Sequence, residues 1–155
     1  MSSAVSSKRP SPSVARVPTL SMDEVALLLG LPAEDAERLA RGDTFTGPSG
    51  LTCQLLMGED LHGRSYARPL VMLQMRASDL FGDDVQHLLE LQEKLLQDGP
   101  WFLGTSPTHE LKLVSLQGHF SAKEVVFTLE AANALGLVVL RALLQMADPA
   151  SGDAA

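Results

Sequence analysis

Residues 84–103 read DVQHLLELQEKLLQDGPWFL, and this stretch decides the fold. Val85, Leu88, Leu89, Gln92, Leu95 and Leu96 recur at helical spacing on one broad stripe, which Leu91 widens further. So wide a stripe implies two neighbours: the sheet of the same subunit and, on the second side, another subunit. Asp83 or Asp84 is placed to cap the start of the helix. Gly99-Pro100 stops it, and Trp101-Phe102-Leu103 opens a short strand.

Towards the C-terminus, a turn at Thr105 to Thr108 leads to a strand carrying Leu111, Leu113 and Leu116, with Lys112 on the opposite side. Ser121-Ala-Lys-Glu124 is a capping box. It starts a long helix reaching Met146, whose apolar positions are Val125, Val126, Leu129, Ala132, Leu135, Val139, Leu140, Leu143 and Leu144; Asp148-Pro149 ends it.

Towards the N-terminus, the apolar run Leu70 to Met75 suits a strand inside a sheet, with Pro69 tolerated at its start. Gly58 to Arg64 reads as a polar loop and Leu51 to Met57 as a strand. Gly47-Pro48-Ser49-Gly50 is the turn joining that strand to Phe45. A second capping box, Ser21-Met-Asp-Glu24, opens a helix carrying Met22, Val25, Ala26, Leu28 and Leu29, which Gly30 closes. Ala33 to Ala40 predicts a further short helix. The class is α+β: an antiparallel sheet with helices, in the order α-(α)-β-β-β-α-β-β-α, with no internal repeat of fixed period.

Composition bounds what this domain can do. A chain of 155 residues with 45% hydrophobic content fits one domain with a core of its own. Aromatics are 5% and Met occurs six times, so the core is mostly aliphatic, and flexible thioethers suit surfaces that accept several partners. Lys8, Arg9 and Arg16 give residues 1–16 a charge of +3; with −7 overall, −10 is left on residues 17–155. An acidic domain repels phosphate backbones, which argues against nucleic-acid binding. Residues 1–17 read as a disordered basic Ser/Pro leader, 18–147 as one domain, and 148–155 as a flexible tail. No apolar h-region follows Lys8 and Arg9, so the leader does not read as a secretory signal. The uncharged run Ala131 to Leu140 falls short of the roughly 20 residues of a membrane span. The single cysteine, Cys53, excludes an intramolecular disulfide, argues against a zinc-thiolate site and reads as a small buried hydrophobe in a reducing compartment.

The chain shows no constellation for catalysis. No G-x-S-x-G elbow surrounds any serine. His62, His87, His109 and His119 occur singly, without metal-ligand spacing. Gly47-Pro48-Ser49-Gly50 lacks the spacing of a phosphate loop. Glu59 with Asp60, and Asp83 with Asp84, are adjacent pairs on loops, where neither carboxyl is desolvated enough for acid–base work. The expectation is a binding protein, not an enzyme, with no cofactor and no metal. The alternative is a small-molecule-binding or enzymatic α+β domain with a pocket between the last helix and the sheet, whose cue would be His119 converging with Asn133.

Leu88-Leu89-Glu90-Leu91 through Leu95-Leu96, then Trp101-Phe102-Leu103-Gly104 and Leu111-Lys112-Leu113-Val114, resemble the second helix and following strands of a known family. That family is the class I chaperones of bacterial type III secretion systems (CesT/SycE-like), and the likeness covers roughly residues 17–147. The general effector chaperones of plant pathogens, the HpaB type, are the nearest branch in size and acidity. The leader and the helix Ala33 to Ala40 depart from the family pattern.

The resemblance implies a cytoplasmic bacterial protein that binds the non-globular N-terminal region of secreted effectors and keeps them competent for export. It implies a homodimer formed through Leu88, Leu91, Leu95, Trp101 and Leu103. It also implies effector-binding grooves, mapped here to Val25, Leu28, Leu29, Leu55, Met57, Met72 and Met75. A regulatory module that binds a folded component of the export machinery, such as the secretion ATPase, is the other reading.

Overall fold

Two serines set both ends of the α-helical layer. In the computed structural model, which describes residues 19–80 and 83–147, the Ser21 hydroxyl accepts from the Glu24 N–H at 3.2 Å and the Ser121 hydroxyl from the Glu124 N–H at 3.2 Å. Each satisfies one of the donors that a helix start leaves without a partner. Gly30, at φ 66°, closes the first helix in the left-handed conformation that glycine adopts without strain. The leader and tail read from the sequence, and the Asp148-Pro149 stop, lie outside the described residues.

The order is α1 (Met22–Leu29), α2 (Ala33–Ala40), β1 (Phe45–Thr46), β2 (Thr52–Glu59), β3 (Ser65–Arg76), a 3-10 turn (Ala77–Asp79), α3 (Asp84–Asp98), β4 (Trp101–Thr105), β5 (Glu110–Ser115) and α4 (Ala122–Ala147). The class is α+β, with the element order that the sequence predicts. The five strands form one antiparallel sheet in the order β1-β2-β3-β5-β4.

Alternation along the strands gives the sheet two unlike faces. Cys53, Leu55, Val71, Leu73, Leu111 and Leu113 are buried on one face. The buried side of α4, with Val125, Leu129, Ala132, Val139 and Leu143, belongs to the same core. Gly136 allows the close approach of helix and sheet, because a Cβ there would lie 2.9 Å from a Val71 methyl. On the other face Leu56, Met72 and Phe102 remain partly exposed around buried Leu70 and Val114.

Four local readings need correction. First, Pro69 lies inside β3, opposite Leu55, instead of at its start. Ala67 exchanges both backbone hydrogen bonds with His119 at 2.9 Å, so the N–H groups of Ala67 and Val71, and the donorless nitrogen of Pro69 between them, face the β5 side. The β3–β5 ladder begins only at Leu70–Val114. The donor that Pro69 lacks therefore falls where the ladder has a gap. Second, Glu59 continues β2, which shortens the expected polar loop. Third, Leu116 lies beyond the end of β5 and is exposed. Fourth, Asp83 has helical dihedrals and makes no side-chain cap.

The uncharged run 131–140 is part of a 25-residue helical stretch, Ala122–Met146, long and apolar enough by composition to cross a membrane. Here it lies along the sheet, with one side in the core and the other in solvent.

Candidate functional site

Helix α3 lies beside β4, the edge strand of the sheet, and Gln92 fastens the two. Its side-chain Nε2 donates to the Trp101 carbonyl at 3.2 Å, and its Oε1 accepts from the Leu103 N–H at 2.7 Å. Two edge groups that an open strand would leave to water or to another chain are thereby satisfied. Leu95 and Leu103 are buried in the subunit's own core, and Leu88, Leu91 and Trp101 pack half-buried against it. Leu95 is thus corrected from a dimer-contact to a core position, whereas Leu103, though buried, lines the groove between α3 and β4.

The apolar surface left over on this side belongs to other residues. Val85, Leu89 and Leu96 follow one another at spacings of four and seven along α3; Leu89 is 60% exposed and Phe102 of β4 is 43% exposed. Leu89 and Phe102, with Leu88, Gln92, Leu103 and Leu111, line a groove of about 310 Å³. The sequence stripe already contained Val85, Leu89 and Leu96. It could not say which side each neighbour takes, because that depends on the angle at which α3 meets the sheet edge.

The seven positions mapped to effector grooves do not converge. Val25 and Leu55 are buried in the core, which is a correction: neither offers surface to a partner; Met75 is buried apart from the small surface by which it lines a recess. Met72 points to the opposite face from Met75, since a strand alternates. Leu28 is exposed on α1 and Leu29 packs half-buried against the core.

Met57 lines a recess of about 310 Å³ between the start of α1 and the β2–β3 hairpin, together with Leu20, Met22, Gly58, Glu59, Ser65 and Tyr66. Met75 lines a separate, polar recess with Thr52, Gln74, Arg76, Asp79 and Glu110. Tyr66 is held edge-on to Phe120 at 5.9 Å, and the Arg64 guanidinium lies 4.4 Å above the Phe120 ring. Sequence reasoning missed Tyr66; the available signal was the lone tyrosine of the chain next to the hairpin.

Two polar arrangements test the enzymatic alternative. A recess of about 560 Å³ at the start of α4 is lined by Gln117, His119, Lys123, Glu124, Phe127 and Thr128. His119 Nε2 lies 3.0 Å from Thr128 Oγ1 and Nδ1 lies 3.7 Å from a Glu124 carboxylate oxygen. Thr128 is buried within α4, and its hydroxyl is taken up by His119.

Asn133 does not join His119; it is buried against Cys53, Ser49 and Leu129. Burial pushes the Cys53 thiol up to about 11, partly offset by the Asn133 hydrogen bond, so it is not a thiolate nucleophile near neutral pH. Asp60 is held below its ordinary 3.8 by the Arg64 backbone N–H, with further help from the Arg64 side chain and the His62 N–H. Its role is to close the 60–64 loop. Among the described residues no group of three or more His, Cys, Asp or Glu side chains is arranged to hold a metal. No protein-family model, curated protein or solved structure gives a significant match to this chain.

Proposed function

We propose that this chain is a binding protein of the secretion-chaperone kind, a homodimer that holds the extended N-terminal region of a secreted effector in the cytoplasm. The observation that carries the reading is a pair of separate open apolar recesses, one at Met22, Met57 and Tyr66 by the β2–β3 hairpin, the other at Leu89 and Phe102 beside the edge strand β4. Scattered apolar pockets beside strands suit a client without tertiary structure, which binds by side-chain insertion and orders as it binds. In this reading the groove at Leu89 and Phe102, continued along Val85 and Leu96, receives a second subunit, and the recess at Met57 receives the client.

Co-expression with the N-terminal segment of a candidate effector, followed by limited proteolysis, tests it. A client segment that is labile alone becomes protected, and Met57→Asp removes the protection while leaving the chaperone folded. Equal lability of the segment with and without this protein would overturn the reading.

A further inference from the structure

The outer face of α4 carries an unpartnered apolar stripe whose pattern is self-complementary. Phe127, Ala134, Leu137, Val138 and Leu144 are exposed, with Phe127 at 74% and Val138 at 66%. At 100° per residue these side chains fall within one arc of the helix, and Glu130 and Arg141 fall inside the same arc. Solvent-exposed apolar residues scattered singly need no explanation, but a continuous stripe along a helix marks a contact surface.

The charges identify the occupant. Glu130 and Arg141 make no ion pair or hydrogen bond among the described residues. They lie eleven positions apart, about 16 Å along the helix axis, and cannot meet within one copy. Both are equidistant from the point between Leu135 and Gly136. So are Phe127 and Leu144, and so are Ala134 and Leu137.

An antiparallel pairing of two α4 helices about a two-fold axis through that point therefore sets Glu130 against Arg141 of the second copy, and Arg141 against Glu130 of the second copy. The same axis brings Phe127 level with Leu144 of the second copy and Ala134 level with Leu137, on opposite flanks of the contact, at an interaxial distance of about 8–10 Å. A membrane surface fits this stripe poorly, because charges of both signs lie within it and the domain is acidic.

We infer that α4 forms a second, isologous contact with another copy of this chain, registered by reciprocal Glu130–Arg141 pairs. This contact is separate from the α3–β4 groove and does not rest on the proposed function. The apolar stripe supplies the attraction, and the two ion pairs favour this register: a parallel pairing sets like charges together, and an antiparallel slip that matched Glu130 with Lys123 would leave Arg141 unmatched and most of the stripe uncovered.

Sedimentation velocity on the full chain up to roughly 100 μM tests this, in a Leu89→Asp/Phe102→Asp background that disables the other groove. The background protein is expected to dimerise. Glu130→Arg or Arg141→Glu alone is expected to weaken that dimer at least about tenfold, and the double reversal to restore it. All four positions are exposed, and circular dichroism checks that each variant is folded. If the background variant itself fails to fold, the three reversals are compared in the unmodified chain, where the same loss and rescue are expected in the mass. A monomeric background at the highest concentration, or a double reversal that associates no better than the singles, would overturn the inference. Loss of client protection on Met57→Asp bears only on the chaperone reading.

Discussion

The Asn133 carboxamide and the Cys53 thiol meet 3.3 Å apart in the core, Nδ2 donating to Sγ. The same Nδ2 donates to the Leu129 carbonyl at 2.8 Å, and Oδ1 accepts from the Ser49 hydroxyl at 2.7 Å. One buried side chain therefore ties α4 to β2 and to the Gly47–Gly50 turn that joins β1 to β2. Such a network specifies where the turn sits as well as adding stability, because a displaced turn would take the Ser49 hydroxyl away from the carboxamide oxygen in an apolar surround.

Replacing Asn133 with Ala removes that tie. The Ser49 hydroxyl loses its partner, the Cys53 thiol keeps only the Leu51 carbonyl, and a small void opens under the turn, so a loss of about 1–3 kcal/mol is expected in urea unfolding. Amide exchange at Gly47 and Gly50, whose N–H groups bond to Leu51 and Gly47 carbonyls, should quicken more than exchange in the β3–β5 ladder.

The Cys53 thiol predicts an alkaline weakening. Its folded value of about 11 lies above the ordinary 9.0, so the fold favours the protonated form. That contribution is fully present below pH 9 and is lost as pH climbs from 9 towards 11, amounting to about 3 kcal/mol at most. Unfolding free energies of the wild type and Cys53→Ala measured across this window should converge as pH rises; a difference independent of pH would contradict the assignment. Below pH 9 the thiol should react with a disulfide reagent only as fast as the protein opens.

Gly47 shows how close the turn comes. A Cβ there would strike the Cys53 sulfur and lie 2.9 Å from Asn133 Oδ1. Gly47→Ala is expected to cost about 2–3 kcal/mol. The cost should shrink in a Cys53→Ala background, because the clash, not backbone freedom, is its source.

Much of this architecture was legible in the chain. The two S-x-x-E boxes place the starts of α1 and α4, Gly30 the end of α1, and Gly99-Pro100 the end of α3, because each is a local device whose partners lie within a few residues. Pro69 was misplaced because its tolerance depends on a gap in the ladder made by residues near position 117, far along the chain. The candidate grooves were least legible. Leu55, Met75 and Val25 read as apolar, but whether an apolar residue meets core or solvent depends on which face the layer above covers. The Asn133–Cys53–Ser49 network joins residues 80 and more positions apart, and no sequence spacing announces it.

Gln92 carries the last prediction. It stands in for the strand that β4 lacks on its outer side, one amide group answering both the Trp101 carbonyl and the Leu103 N–H. Gln92→Leu keeps the length and the apolar packing but leaves both edge groups without their partner, one of them beside buried Leu103. Gln92→Glu keeps the acceptor for Leu103 but sets a carboxylate oxygen against the Trp101 carbonyl, where a donor is needed. Each is expected to lose about 1–2 kcal/mol in chemical unfolding, with the Glu variant recovering part of its loss at low pH as its carboxyl regains a proton to donate. The freed edge should also pair between molecules, so light scattering on warming should rise earlier for Gln92→Leu than for the wild type. Wild-type scattering and stability in both variants would show that α3 is held to β4 by its leucines alone.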